Sequence, residues 1–369
     1  MKYRCIAFTG GGTGGHVYPG LAVAEALKER HPEMEPCIIW IGSSSGMEEG
    51  ILRRTEIPFY GIPAGKLRRY LSLRNILDLF RIAAGLVVSV VLLKRHRVEL
   101  LFSKGGYVSV PPVIAARLLG IPVISHESDR EAGLATRINA RFTDLLLCAY
   151  EEGCAAFPER TRIAAVGNPV RRDILRGDRR RGRRAWNVGD REKLILVLGG
   201  SQGARQINQL IDGAIDALLP LTRVVHQTGR ADYIPADREG YYKAPFFHEE
   251  LPDLLAAADL VISRAGAGTL WENGITGTPA VLIPLGLENS RGDQLCNAEL
   301  FAEHGAAEVL DGAEATPQRL VQQVRRLLED DAARERMADK ARELCNRDAA
   351  ERIVRYVEEY LDQLEKREE

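Results

Sequence analysis

Thr9-Gly10-Gly11-Gly12-Thr13-Gly14-Gly15-His16-Val17-Tyr18-Pro19-Gly20 lies between an apolar run, Cys5-Ile6-Ala7-Phe8, and a helical pattern from Leu21 to Arg30. The order is strand, glycine loop, helix. Glycines let a backbone turn sharply and come close to a ligand. The unpaired N–H groups at a helix start favour an anion, most often phosphate. Pro19 suits a first helical turn, where its missing N–H costs little. His16 stands apart, because an imidazole titrates near neutral pH. A loop that only cradled a diphosphate would not need it.

Gly10, Gly12 and Gly15 satisfy G-x-G-x-x-G, which raises a dinucleotide site. That site wants a carboxylate at the end of the second strand to hold a ribose. The second strand instead ends Trp40-Ile41-Gly42-Ser43-Ser44-Ser45, and the first carboxylate after it is Glu48. No P-loop lysine follows the glycines either. A nicotinamide-dependent oxidoreductase is therefore disfavoured. The loop reads as one that faces a phosphate or sugar held largely by another part of the chain.

Outward from this loop, short β-like runs alternate with helical patterns. They include Cys37 to Ile41, Leu100 to Ser103, Pro122 to Ser125 and Leu145 to Ala149. Such alternation predicts α/β architecture with doubly wound parallel sheets. The chain has 369 residues, enough for two domains. A turn-rich segment, Gly167 to Arg171, leads into an arginine-rich stretch ending at Arg191, which reads as a solvated junction. A second half opens at Lys193 with the strand Leu194 to Leu198, the loop Gly199-Gly200-Ser201-Gln202-Gly203 and a helix. The expected domains are 1–166 and 167–345. A terminal helix over 346–369 would pack back on the first.

Composition narrows the function classes. The formal net charge of −1 gives no reason to expect nucleic-acid binding. The six cysteines are scattered without C-x-x-C spacing and read as reduced thiols. No His, Cys or Asp cluster has metal-ligand spacing, so neither metal nor cofactor is expected. The longest apolar run, Ile82 to Leu93, is shorter than the roughly 20 residues a membrane span needs. Met1 to Thr9 lacks a signal-peptide pattern, so secretion is not expected. Leu73, Ile76, Leu77, Phe80, Ala84, Val87 and Val88 recur at helical spacing with basic residues before and after. A helix covering its own sheet is the simpler reading of that stripe. The other is a face that rests on an anionic membrane surface.

Three further stretches offer chemistry. Ser103-Lys104-Gly105-Gly106-Tyr107 and His126-Glu127-Ser128-Asp129 each follow a strand, where parallel sheets bind ligands. Arg264-Ala265-Gly266-Ala267-Gly268-Thr269-Leu270-Trp271-Glu272 is a third glycine turn into a helix. Glu272 could hold both hydroxyls of a ribose or merely complement the helix dipole. Asp293 and Gln294 open another helix, where they could meet a sugar or simply cap it.

Taken together, Gly10 to Gly20, Gly105 to Ser109, Gly167 to Arg171, Gly199 to Ala204, His226 to Gly229 and Arg264 to Glu272 resemble the MurG family of peptidoglycan glycosyltransferases. The likeness spans nearly the whole chain. It implies a GT-B fold, two Rossmann-like domains whose sheets face a central cleft. The implied reaction transfers N-acetylglucosamine from its UDP carrier to the 4-hydroxyl of undecaprenyl-diphosphate-linked N-acetylmuramyl-pentapeptide, with inversion. The implied location is the cytoplasmic face of the plasma membrane.

By the same resemblance Thr13, Gly14, Gly15 and His16 approach the sugar and diphosphate, with Tyr107 nearby. Arg171 and Ser201 meet the diphosphate, and Gln202 lies beside it. Phe247 gives a backbone contact to uracil. Ala267, Gly268 and Thr269 approach the phosphates, Glu272 the ribose and Gln294 the transferred sugar. His16 is the first candidate for the general base and Asp129 the second. Asp129 stands where the family usually has Asn, and Gly268 replaces a larger apolar residue. The loop Leu285 to Arg291 is longer than in compact members. A UDP-sugar 2-epimerase of the same two-domain architecture is the alternative.

Overall fold

The computed structural model describes residues 5–32, 37–66, 73–154, 157, 162–200, 203–236, 238–287 and 292–368. They form two compact units. One comprises Met1–Pro169 with Asp348–Glu369, the other Val170–Arg347.

The first unit carries seven strands: β1 (Cys5–Thr9), β2 (Cys37–Ser43), β3 (Phe59–Ile62), β4 (Val98–Ser103), β5 (Val123–Glu127), β6 (Leu145–Cys148) and β7 (Arg162–Ala165). They lie in the order β3-β2-β1-β4-β5-β6-β7, and every pairing is parallel. Its helices are α1 (Gly14–Arg30), α2 (Glu48–Leu52), α3 (Leu73–Arg95), α4 (Val110–Leu118), α5 (Leu134–Asn139) and α6 (Glu151–Cys154). Strand order reverses between β1 and β4, whose ends align as Thr9 beside Ser103. In an open parallel sheet this switch point is where ligands bind. The loops Gly10–Thr13 and Lys104–Gly106 leave the sheet there.

The second unit carries β8 (Leu194–Leu198), β9 (Arg223–Gln227), β10 (Tyr241–Ala244), β11 (Leu260–Ser263), β12 (Ala280–Leu282) and β13 (Glu308–Val309), in the order β10-β9-β8-β11-β12-β13. Its helices are α7 (Arg179–Ala185), α8 (Arg205–Leu218), α9 (Leu251–Ala257), α10 (Ala267–Thr276), α11 (Asp293–Glu303), α12 (Pro317–Glu329) and α13 (Asp331–Leu344). Here the switch point lies between β8 and β11, and the turns beginning at Gly199 and Arg264 leave from it. The same device thus appears once in each unit.

Burial explains the strand composition. Strands covered by helices on both faces read as continuous apolar runs, and β8, Leu-Ile-Leu-Val-Leu, is buried along its whole length. The last helix, α14 (Ala349–Glu368), belongs to the first unit. It packs on α1, and Ile353, Val354, Val357 and Leu361 enter the core with Phe8, Trp40 and Leu27. Arg30 and His31 pair with Glu358 at the edge of that contact.

Three expectations change. The helix after the glycine loop begins at Gly14, so Pro19 falls in its second turn rather than its first. Having no N–H, it leaves the Gly15 carbonyl without the usual helical donor. His126 and Glu127 are the last residues of β5, not a loop, and are 1% and 4% exposed. The arginine-rich stretch is not simply solvated. Within it α7 packs on α9, Arg183 is buried, Arg179 and Arg183 pair with Asp259, and Arg181 pairs with Asp253.

Candidate active site

In the first unit the glycine loop is backed by a carboxylate. Glu48, at the start of α2, is fully buried. Its Oε1 accepts the Ser43 N–H at 2.7 Å and its Oε2 the Gly12 N–H at 3.3 Å. A Cβ on Gly11 would stand 2.4 Å from Glu48 Oε1, so a side chain there would push the carboxylate off its two N–H donors. Gly12 has φ of +86° and lies under the ring of Tyr107, 2.8 Å from where a Cβ would be. Tyr107 is raised from its ordinary pKa by burial and by the nearby Glu48 charge, so it remains a neutral phenol. One loop N–H is thus spent internally. The anion donors left are those of the α1 start, where Gly14 and Gly15 stand.

His16 is in the first turn of α1, its N–H bonded to the Thr13 carbonyl at 3.1 Å. Its ring lies against the Lys104–Tyr107 loop, with Cδ2 3.0 Å from a Cβ position on Gly106 and Nδ1 4.0 Å from one on Gly105. Thr13, Gly14, Gly15, His16 and Tyr107 are therefore gathered at the first switch point. Asp129 follows β5, the strand next to β4. Its turn is held by Glu127, whose Oε1 accepts the N–H groups of Ser128 at 2.8 Å and Asp129 at 3.1 Å. The His126 imidazole is kept well below its usual pKa by burial and by the Lys104 charge; its Nε2–H donates to the Gly167 carbonyl at 2.8 Å. It is a neutral structural group.

In the second unit Arg171 and Glu272 stand together. The guanidinium Nη2 is 3.9 Å from Glu272 Oε1, and Nη1 donates to Asp173 Oδ2 at 3.2 Å. Glu272 lies in α10, whose first turn is Ala267, Gly268 and Thr269. A Cβ added at Gly266 or Gly268 would meet nothing within 4 Å, so the helix start opens onto space. Burial pushes Glu272 up to about 7, opposed by Arg171 and assisted by Asp173. The N–H-rich start of α10, the Glu272 carboxylate in its second turn and the Arg171 guanidinium beside it form a set suited to a diphosphate and a ribose.

Phe247 is buried, and its N–H donates to Gln227 Oε1 at 2.9 Å. Any base contact from its backbone therefore comes from the carbonyl. Gln227 also donates to the Gly200 carbonyl at 2.9 Å, linking Phe247 to the glycine turn after β8. Gln294, in the first turn of α11, spends its carbonyl oxygen on the Leu285 N–H at 3.0 Å. Its amide nitrogen is the end available to a sugar. Ser201 and Gln202 lie outside the described residues, as does Arg291. Among the described residues no group of three or more His, Cys, Asp or Glu side chains could hold a metal ion.

Sequence reasoning passed over Glu48, Lys104 and Gln227. Glu48 was discounted as too far from its strand end, and a buried link through a turn leaves no periodic signal. Lys104 and Gln227 each stand at or next to a strand end in a short glycine-containing motif, where a buried side-chain link has no sequence signature.

Paired parallel sheets with glycine turns at both switch points form the GT-B arrangement of nucleotide-sugar glycosyltransferases. Residues 6–147 match the glycosyltransferase family 28 N-terminal domain and residues 194–353 its C-terminal domain. The chain belongs to glycosyltransferase family 28, in the MurG branch. It is 43% identical over 347 residues to the Treponema denticola UDP-N-acetylglucosamine–N-acetylmuramyl-(pentapeptide) pyrophosphoryl-undecaprenol N-acetylglucosamine transferase, covering 88% of each chain. The crystal structure of Acinetobacter baumannii MurG superposes with a TM-score of 0.73 at 28% identity, over 96% of this chain and 99% of that one. A UDP-GlcNAc 2-epimerase from Neisseria meningitidis shares the fold, with a TM-score of 0.68 at 14% identity over 96% and 100% of the two chains.

Proposed function

We propose that this protein transfers N-acetylglucosamine from UDP-N-acetylglucosamine to the 4-hydroxyl of lipid-linked N-acetylmuramyl-pentapeptide, inverting the anomeric centre. The observation that carries the reading is the Arg171–Glu272 pair at the open start of α10, in a chain with relatives named for this reaction. Glu272 takes the ribose, and Arg171 with the α10 N-terminus takes the diphosphate. As the glycosidic bond breaks, charge grows on the departing UDP. Fixed N–H dipoles and the guanidinium stabilise it without reorganising. Thr269, Ala267, Gly268, Ser201 and Gln202 line the phosphates, the Phe247 carbonyl meets the base, and the Gln294 amide meets the sugar. His16 takes the acceptor's hydroxyl proton and Asp129 orients the acceptor, while Thr13, Gly14 and Gly15 approach the sugar and diphosphate with Tyr107 nearby.

The same reading puts the enzyme on the cytoplasmic face of the membrane. No described helix is long and apolar enough to cross a bilayer. Of the α3 stripe's described side chains, Val88 packs on the core and the bulky ones nearer the helix start face outward. Leu77 is 60% exposed, Phe80 70% and Val87 64%, while the opposite face, with Asp78, Gly85, Ser89 and Leu93, is buried. Exposed Lys94 and Arg95 close the helix. An apolar face of this size with cations at its end suits an anionic lipid surface.

The test is to incubate the protein with labelled UDP-N-acetylglucosamine, with and without the lipid-linked acceptor. Label in the lipid fraction only when acceptor is present is the expected result. An epimerised nucleotide or free sugar formed without acceptor would overturn the reading in favour of a 2-epimerase.

A further inference from the structure

Lys104 has no part in the reaction as set out above. It directly follows β4 at the first switch point and is only 1% exposed. Burying an ammonium costs several kcal/mol unless its partners are well arranged. An unbranched apolar side chain would fill the same space without that cost, so the partners matter. Lys104 Nζ donates to Ser128 Oγ. Ser128 Oγ in turn donates to Asn168 Oδ1 at 2.7 Å. Glu127 and Asp129 supply compensating negative charge.

The turn that carries Asp129 is thus gripped from two sides. Glu127 gathers the N–H groups of Ser128, Asp129 and Gly133, the last at 3.2 Å. Lys104 ties the same turn to the end of β4. That strand end continues into Gly105 and Gly106, against which the His16 ring lies. The Lys104 N–H also donates to the Thr9 carbonyl at 2.8 Å, at the end of β1 where the glycine loop begins. One buried residue therefore joins the backing of His16 to the turn of Asp129.

We propose that Lys104 is a positioning residue for glycosyl transfer: through Ser128 it fixes the Asp129 turn relative to the loop that backs His16. The proposal rests on the transferase reading and deepens it on the acceptor side. Misplacing reacting groups by a fraction of a bond length slows chemistry without weakening a substrate held elsewhere. Loss of Lys104 should therefore lower kcat and leave the donor KM alone.

The experiment measures kcat, donor KM and thermal unfolding for Lys104→Met, Ser128→Ala and the double variant, with UDP-N-acetylglucosamine and the lipid-linked acceptor. Each single change should lower kcat by about ten- to a hundred-fold with donor KM unchanged. The double should be no slower than Lys104→Met, because both changes cut one link. A folded Lys104→Met with wild-type kcat overturns the proposal. So does a double variant whose losses multiply. If Lys104→Met does not fold, Ser128→Ala decides by the same split between kcat and KM. A wild-type protein that transfers nothing to the acceptor refutes the transferase reading itself, a result the variants cannot imitate.

Discussion

Glu272 is held where burial and charge pull in opposite directions, and its proton follows from that. Its carboxyl is raised from 4.5 to about 7, with Arg171 limiting the rise. A ribose needs the ionised acceptor, and losing a charge-assisted hydrogen bond costs roughly 1.5–3 kcal/mol. Glu272→Gln should weaken UDP binding by about ten-fold or more in calorimetry. In the wild type, affinity should fall as pH drops through about 7, over and above the titration of UDP itself. The wild-type-to-variant difference isolates that slope, and a pH-independent difference would reject the assignment. The stability sign is opposite. A raised carboxyl pKa contributes stability below about 4.5 that is lost as pH rises through about 7. The variant should therefore gain up to roughly 3 kcal/mol at alkaline pH, read as a higher Tm. His16 and Asp129 divide the other half of the chemistry. His16→Ala should cut turnover about 10²–10⁴-fold with donor affinity intact, and its pH–rate profile should lose the acidic limb. Asp129→Asn should retain substantial activity. A nearly dead Asp129→Asn with normal substrate binding would exchange the two roles.

Elements were more legible than their faces. The stretch Cys5 to Gly20 foretold β1, its loop and α1, because period and glycine content are local. Likewise Leu194 to Leu198 is β8, and Leu260 to Ser263 is β11, residue for residue. The edge-lying strands β3, β7, β10 and β13 carry no such signal, since they have two to four residues and, unlike β11, are mostly only partly buried. The orientation of α3 was also hidden. Both of its faces are apolar enough to be a core, and spacing cannot say which one meets the sheet. The buried face has Gly85 pressed on Pro63, with a Cβ position 2.2 Å from the Pro63 carbonyl, and Ser89 bonded to the Gly85 carbonyl. Small residues allow that close approach, and the bulky ones are left outside. Replacing Leu77 and Phe80 with Ser should therefore leave Tm nearly unchanged and reduce sedimentation with anionic vesicles. Undiminished vesicle binding would remove α3 from the membrane contact. A collapse in Tm would mean the stripe supports the core after all.

At the scale of the molecule the chain crosses from one unit to the other twice. It leaves the first after Pro169 and returns at Asp348. The return is structural. Ile353, Val354, Val357 and Leu361 are all buried in the first unit's core. Each contributes about 1.5–3 kcal/mol, and together they rival a domain's net stability of about 5–15 kcal/mol. A chain ending at Arg347 should lose the first unit's cooperative unfolding transition in calorimetry and keep the second's. An unchanged pair of transitions would show α14 to be dispensable. No local pattern announces this closure, because α14 reads as an ordinary amphipathic helix and its partner α1 lies more than three hundred residues earlier. The arrangement also sets an order of events on the ribosome. The first unit emerges first, yet its missing helix is made after all of the second. For that interval the apolar groove over α1 has no occupant, and the nascent polypeptide must be shielded there until translation reaches Ala349.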